Sequence, residues 1–224
     1  DFAKKLNKKT PIFVVPNGVD LQKFKIKNEK LKINEKKIII TVSRLVKKNG
    51  IDILIKAVKE LKISDYELWI AGDGKEKKKL ESLVKKLELE NKVKFLGGIP
   101  NEQIPEYLAR ADVFVRPSRS EGFGSAFLEA MAVGVPVIAT PVGGIPDFLR
   151  HGETGLFCET EDPENLSQKI TKILTDQNLR AKIIKNSLEL VRKKYSWDFI
   201  AGEMKEIYEK KEIYEKTVSH NSSL

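Results

Sequence analysis

Two glutamates, Glu121 and Glu129, stand eight positions apart in SRSEGFGSAFLEAMAVGVPVIATPVGG (118–144), the passage of the chain richest in chemistry. Between them Gly122, Phe123 and Gly124 make a turn whose backbone amides can approach a ligand closely. The apolar spacing after that turn predicts a helix from about Ser125 to Val133. The first turn of such a helix carries unpaired N–H groups and the positive end of the helix dipole, which together attract a phosphate. Glu129 falls little more than one turn further in, where a carboxylate can accept from a vicinal diol such as a ribose. Glu121, in the preceding loop, is placed to touch whatever hangs from the phosphate. The plain alternative for Glu129 is a solvated helix position, but Phe127, Leu128, Met131 and Ala132 set this helix in the core.

A second cluster is Ser43-Arg44-Leu45-Val46-Lys47-Lys48-Asn49-Gly50, just beyond the apolar run KIIITV (37–42). A guanidinium and an ammonium there can neutralise a diphosphate leaving group, although Arg44 alone is equally suited to pairing with a surface carboxylate. No D-x-D occurs in the chain, so nothing in the sequence suggests a magnesium held by carboxylates. Cations and the helix dipole would then carry the charge. Other motifs fail. Gly72-Asp73-Gly74 lacks the third glycine of a dinucleotide fingerprint, Lys77 occupying its place, and there is no phosphate-binding G-x-x-x-x-G-K-[ST] loop. His151 and His220 are far apart and Cys158 is the only cysteine, so no disulfide framework or metal constellation is legible. His151, in RHGETG, reads as a turn residue and Cys158 as a small buried hydrophobe.

These residues need a scaffold, and the chain supplies one by alternation. Strand-like runs at 37–42, 66–72, 93–98, 112–118, 135–140 and 154–159 are interleaved with amphipathic stretches, including Ile51, Leu54, Ile55, Val58 and Leu61 at helical spacing. Three helical stretches, 163–175, 179–194 and 197–216, close the pattern. Near-continuous apolar strands separated by helices predict a parallel sheet covered on both faces, a doubly wound α/β domain. Such domains take ligands beyond the carboxyl ends of their strands. The reading divides the chain into an incoming strand and linker (1–36, with the turn Pro16-Asn17-Gly18), the α/β domain (37–195), a helix (196–216) and a disordered tail (217–224).

Composition bounds the rest. A hydrophobic share of 41% beside 33% charged residues is that of an ordinary globular protein, and no apolar run approaches the length of a membrane span. The net charge of +9 lies mostly in mixed-sign helical stretches such as 76–92, whose plain reading is solvated helix faces. Attraction to anionic lipid or to a nucleotide phosphate is the alternative reading of that charge. No nucleic-acid partner is expected, because no helix-turn-helix, zinc-finger or RRM signature accompanies the charge.

The series EGFGSAFLE (121–129), VVPNGVDLQKF (14–24), TVSRLVKKNGIDILIKA (41–57), IAGDG (70–74), VKFLGGIP (93–100), ADVFVRPS (111–118), ATPVGGIPDFL (139–149) and HGETGLF (151–157) resembles the large retaining glycosyltransferase family of GT-B fold often called family four. The resemblance runs in the family's order through nearly the whole chain. It implies a Rossmann-like parallel sheet that forms the C-terminal half of a GT-B fold and binds a nucleotide-sugar donor, UDP-, GDP- or ADP-linked. The implied activity is transfer of a sugar to an acceptor hydroxyl with anomeric retention, without metal or cofactor. In the implied assignment Arg44 and a neighbouring lysine, Lys48 or Lys47, hold the diphosphate beside Ser43. Glu129 holds the ribose, and Glu121 lies close to the sugar as a catalytic group with Arg44 and Lys48. The loop Gly122, Phe123, Gly124 and Ser125 offers its amides, and base contacts fall around Gly97 and Gly98. The family usually has its lysine immediately before the glycine, where this chain has Asn49 before Gly50. Lys48→Ala is expected to weaken nucleotide-diphosphate binding.

The chain opens at Asp1, near the family's linker, and is expected to be a fragment or processed product that lacks an N-terminal acceptor-binding domain. The helix after Ser196-Trp197, with Ile200, Met204, Ile207 and Tyr208 on one stripe, resembles the family's terminal crossover, and part of the stripe is expected to be exposed, giving weak self-association. A cytoplasmic location, peripheral to the inner face of a membrane that carries a lipid-linked acceptor, fits the charge. On its own the fragment is expected to be inactive. The competing readings are a non-catalytic nucleotide-binding or interaction module, a basic peripheral membrane binder, and another enzyme of this fold such as a nucleotide-sugar epimerase or a pyridoxal phosphorylase.

Overall fold

The computed structural model describes residues 13–24 and 36–221, with side chains of the last helix described as far as Glu209. The elements run β1 (Lys37–Val42), α1 (Ile51–Lys59), β2 (Tyr66–Ala71), α2 (Lys77–Lys86), β3 (Val93–Gly97), α3 (Ile104–Arg110) and β4 (Val113–Arg116). Then come α4 (Ser125–Ala132), β5 (Val137–Ala139), β6 (Leu156–Phe157), α5 (Pro163–Thr175), α6 (Gln177–Lys194) and α7 (Trp197–Asn221). The six strands form one sheet in the order β3-β2-β1-β4-β5-β6, with every pairing parallel. The strand order therefore turns back between β1 and β4, and a crevice opens at their carboxyl ends.

Strand side chains alternate between two cores. Ile39, Leu68, Ile70, Val113, Val115 and Ile138 pack under α1, α2 and α5. Ile38, Ile40, Trp69, Phe114, Val137 and Ala139 pack under α3 and α4. Because both faces are covered, β1 reads as an unbroken apolar run rather than as an alternating one. Burying each such side chain contributes about 1.5–3 kcal/mol. Asp112 ties the start of β1 to β4 by accepting from the Ile38 N–H at 2.9 Å.

The doubly wound α/β expectation holds, with differences at the ends. Within the described residues 13–24 the incoming strand is reduced to one parallel bridge, Val19 to Ser196. It is fixed by the Val19 N–H donating to the Tyr195 carbonyl at 2.6 Å and by Gly18 lying against Trp197. Residues 1–12 and 25–35 of the 1–36 assignment lie outside the described residues. The disordered tail is corrected over 217–221, where α7 continues to Asn221. No proline or glycine between Glu203 and Asn221 interrupts the hydrogen-bond ladder, so nothing stops the helix earlier. Cys158 is buried as expected, and burial pushes its thiol up to about 12. His151 sits in a turn, its Nδ1 accepting from the Phe157 N–H at 2.9 Å.

Candidate active site at the β1–β4 crevice

At the turning point of the strand order lies a cavity of about 310 Å³ lined by Ser43, Arg44, Lys48, Asn49, Arg116, Glu121, Phe123, Gly124, Ser125 and Ala126. Seven of the expected site residues are thus brought together. Gly122 and Glu129 lie outside this lining. Glu129 follows Ser125 by four positions, hence on the same face of α4 and about 6 Å along its axis. A larger groove of about 750 Å³ runs between α1 and α5 past Glu60, Lys62, Asp162 and Lys172. Its charges are mixed, and the nearby end of α5 is capped by Asp162 accepting from the Asn165 N–H, so size alone does not make it a site.

One wall of the crevice is the start of α4. Gly124 is its N-cap in a left-handed conformation (φ 83°), with no side chain capping the first turn. A Cβ at Gly124 would stand 2.8 Å from the Phe127 ring, so a side chain here would fill the approach to these amides. Phe127, Leu128, Ala130 and Met131 bury the opposite face, with Phe127 edge-on to Phe114 at 5.2 Å. Gly143 braces the loop from behind, because at φ 59° its Cβ position falls 1.7 Å from the Glu121 carbonyl oxygen. Next to it the Gly144 N–H donates to the Gly122 carbonyl at 2.8 Å. The glycine pair is therefore a turn, and it sets the height of Glu121.

The facing wall is the loop after β1. Arg44 and Lys48 are exposed at the mouth, and among the described residues neither side chain has an ion-pair partner. Asn49, in the place where the family resemblance led us to look for lysine, is buried and donates through Nδ2 to the Arg44 carbonyl at 2.6 Å. It ties the loop instead of reaching out of it, and the lysine that lines the cavity is Lys48. Lys47 lines a different cleft, between α1 and α2. The loop is also clamped from below by Arg119. Its guanidinium donates to both Asp52 oxygens at 2.8 Å and to the Lys47 carbonyl at 2.6 Å, and its backbone N–H donates to the Lys48 carbonyl at 2.7 Å. It pairs with Glu161 as well. Burial alone would raise the Asp52 carboxyl, but the hydrogen bond and charge of Arg119 hold it below the usual carboxylate range.

The floor holds a residue the sequence reading passed over. Arg116, the last residue of β4, is buried beneath the cavity and pairs with Glu121 at 2.5 Å. Desolvation pulls its guanidinium below the ordinary arginine value, while Glu121 and then Glu129 push the other way. Glu121 pairs with this guanidinium directly, and the negative charge of Glu129 favours its charged form as well. Burial raises the Glu129 carboxyl, against the pull of Lys23 and Arg116. A signal for Arg116 was present: it stands two residues after the buried Phe114, and side chains two apart share a face of a strand. Lys23, from the segment before β1, gave none. Among the described residues no three His, Cys, Asp or Glu side chains converge as a metal site would require.

At the turning point of this doubly wound sheet an uncapped helix start faces two cations that have no ion-pair partner among the described residues, an arrangement suited to an anion. Comparison with known proteins makes this specific. Residues 22–190 match the family described as Glycosyl transferases group 1, and the chain belongs to that family. An uncharacterised glycosyltransferase of Methanocaldococcus jannaschii is 34% identical over 206 residues, covering 87% of this chain and 53% of that protein. The crystal structure of Anabaena HepE in complex with UDP and glucose superposes with a TM-score of 0.82 at 26% identity, over 88% of this chain and 57% of that one. A C-terminal domain of a glycosyl transferase group 1 family protein from Francisella tularensis gives 0.73 at 31% identity, over 80% of this chain and the whole of that one. The fold is thus the C-terminal half of a GT-B glycosyltransferase. The chain spans about half the length of the curated relatives it matches.

Proposed function

We propose that this chain is the donor-binding half of a retaining glycosyltransferase, which moves a sugar from a nucleoside diphosphate to an acceptor hydroxyl. The observation that carries this reading is the placing of Arg44 and Lys48, cations with no ion-pair partner among the described residues, across a 310 Å³ crevice from the uncapped start of α4. The diphosphate lies against the amides of Gly124 and Ser125, with Arg44 and Lys48 closing over it and Ser43 beside it. Glu129 accepts from the ribose hydroxyls, Glu121 meets the sugar, and the base extends toward the carboxyl ends of β2 and β3, near Gly97 and Gly98. As the bond from the anomeric carbon to the phosphate oxygen lengthens, negative charge grows on the diphosphate. Fixed cations and amide dipoles stabilise that charge without reorganising. This account draws on no metal and on no base from this half.

The transferred sugar is of the hexose type, and its nucleotide is UDP, GDP or ADP. UDP and glucose bound to HepE support the first of these. The acceptor-binding half is a separate domain, which docks on the apolar residues that α7 leaves exposed, Trp197, Phe199, Met204 and Tyr208. With that face uncovered, the chain on its own associates weakly at high concentration, and it transfers little. Among the described residues no helix is long and apolar enough to cross a membrane. A lipid-linked acceptor would be met at the membrane surface, on the cytoplasmic side. A thermal-shift panel of UDP, GDP and ADP with their sugar conjugates tests the reading. At a hundredfold excess over Kd the matching nucleotide stabilises the chain by about 2.7 kcal/mol. No shift with any of them would refute it.

A further inference from the structure

Arg116 is fixed by contacts that do not involve Glu121. Its guanidinium lies over the Phe127 ring at 4.6 Å from the centroid, and Nη1 donates to the Val42 carbonyl at 3.3 Å. It is thereby bound to the end of β1 and to the first turn of α4 together. From this seat Nη2 donates to Glu121 Oε2 at 2.5 Å, while Glu121 Oε1 accepts from the Gly122 N–H at 3.0 Å. The two side chains are only 7% and 12% exposed. Arg116 Nε is buried with no hydrogen-bond partner among the described residues. A buried pair with a donor left over is weak evidence for added stability, since apolar residues in its place often serve as well or better. What it does supply is direction. Glu121 is bounded by Gly122 and sits in a loop, where a free carboxylate would sample many rotamers.

We propose that Arg116 is a positioning residue that pins Glu121 to the floor of the crevice as a fixed acceptor for hydroxyls of the transferred sugar. A carboxylate offers about four lone-pair directions. Arg116 and the Gly122 amide take one on each oxygen, which leaves one on each for the ligand. That spacing suits two neighbouring hydroxyls. Arg116 acts here through Glu121 and does not bind the diphosphate, which lies under Arg44 and Lys48. The inference rests on the donor-domain reading for the identity of the ligand.

The test compares calorimetric affinities for UDP with UDP-glucose, and for GDP with GDP-mannose, in the full chain and in its Arg116→Met, Arg116→Lys and Glu121→Gln variants. Arg116→Met should lower affinity for the sugar nucleotide about tenfold and leave the bare diphosphate within about twofold. Arg116→Lys should recover part of the loss, and adding Arg116→Met to Glu121→Gln should cost nothing further. Equal weakening toward diphosphate and sugar nucleotide would make Arg116 a phosphate cation and overturn the proposal, as would no weakening of either. Hydrogen exchange decides the pinning without any ligand. Arg116→Met should speed exchange at the Gly122 and Gly144 amides, which donate to Glu121 Oε1 and to the Gly122 carbonyl, at least tenfold while β4 and β5 stay protected, and unchanged protection would overturn it. If the unaltered chain binds none of the four probes, the donor-domain reading falls and hydrogen exchange alone judges Arg116. Arg116→Lys, which keeps the charge, serves in the same exchange measurement if Arg116→Met does not fold: a gain at those amides smaller than twofold is expected, and collapse of their protection would count against the proposal.

Discussion

The two loops that bound the crevice handle charge in opposite ways. After β1, Arg44 and Lys48 stand exposed with no ion-pair partner among the described residues, and the loop is shaped by the neutral Asn49 and by Gly50 at φ 68°. After β4, the charges are buried and matched, Arg116 against Glu121 over a fully buried Phe127. Solvated cations cost little to place and remain free to meet an anion. Buried groups are expensive to place, but once placed they do not move. In the proposed function, the pairing of one loop of each kind would separate attraction from alignment: the first draws the anion in, and the second fixes where its uncharged part can lie.

Substitutions that break the rigid side should have the largest effects. Phe127→Ala removes a buried ring that carries both α4 and the Arg116 guanidinium, and should destabilise the domain by about 3–5 kcal/mol in urea unfolding. Nucleotide binding should be lost with it. Gly143→Ala forces a Cβ into the Glu121 carbonyl and a side chain into left-handed backbone, a strain of roughly 1–3 kcal/mol. Its mark should be a loss of UDP-glucose affinity in calorimetry with only a modest fall in Tm.

The solvated side should answer differently. Arg44→Ala and Lys48→Ala should each weaken UDP binding about tenfold or more, as expected for one charge-assisted bond, and leave Tm within about 1 °C. A large Tm loss in either would erase the contrast between the loops. The smallest effect belongs to Glu129, whose carboxyl is raised by burial. A raised carboxyl keeps its proton longer in the folded chain, so the stability it contributes is present at acid pH and is lost as pH rises through the raised value. Glu129→Gln should therefore melt about 1–3 °C higher at pH 7, with the difference closing near pH 4, while UDP binding weakens. A melting difference that does not change with pH would show that Glu129 is not under this strain.

Much of this architecture was legible in the residues. KIIITV and VFV are too apolar to face water on either side, which already required helices on both faces. Glu121 and the glycine turn after it stand out in the sequence and line the crevice, whereas Glu129 lies outside that lining. Arg116 was hidden because VFVRPS reads as a strand running out into solvent, and only the two-residue period from Phe114 shows that its side chain turns inward. The Arg119–Asp52 clamp spans 67 positions, and no local pattern announces a contact made by the sheet's winding. For Asn49 the departure from the family was visible, but its role was not, because a hydrogen bond to the carbonyl five residues back depends on how the turn closes.

The all-parallel winding also governs the order in which the chain can assemble. Val42 and Arg116 touch although 74 positions separate them, because β4 pairs with β1 on the flank opposite β2 and β3, which precede it in the chain. During synthesis β1, β2 and β3 emerge first, and the inner flank of β1 stays a bare apolar rim until 113–116 leave the ribosome. Such a rim invites pairing with foreign strands. The nascent chain is thus most exposed to aggregation in that interval, and the ligand crevice comes into being at the step that ends it.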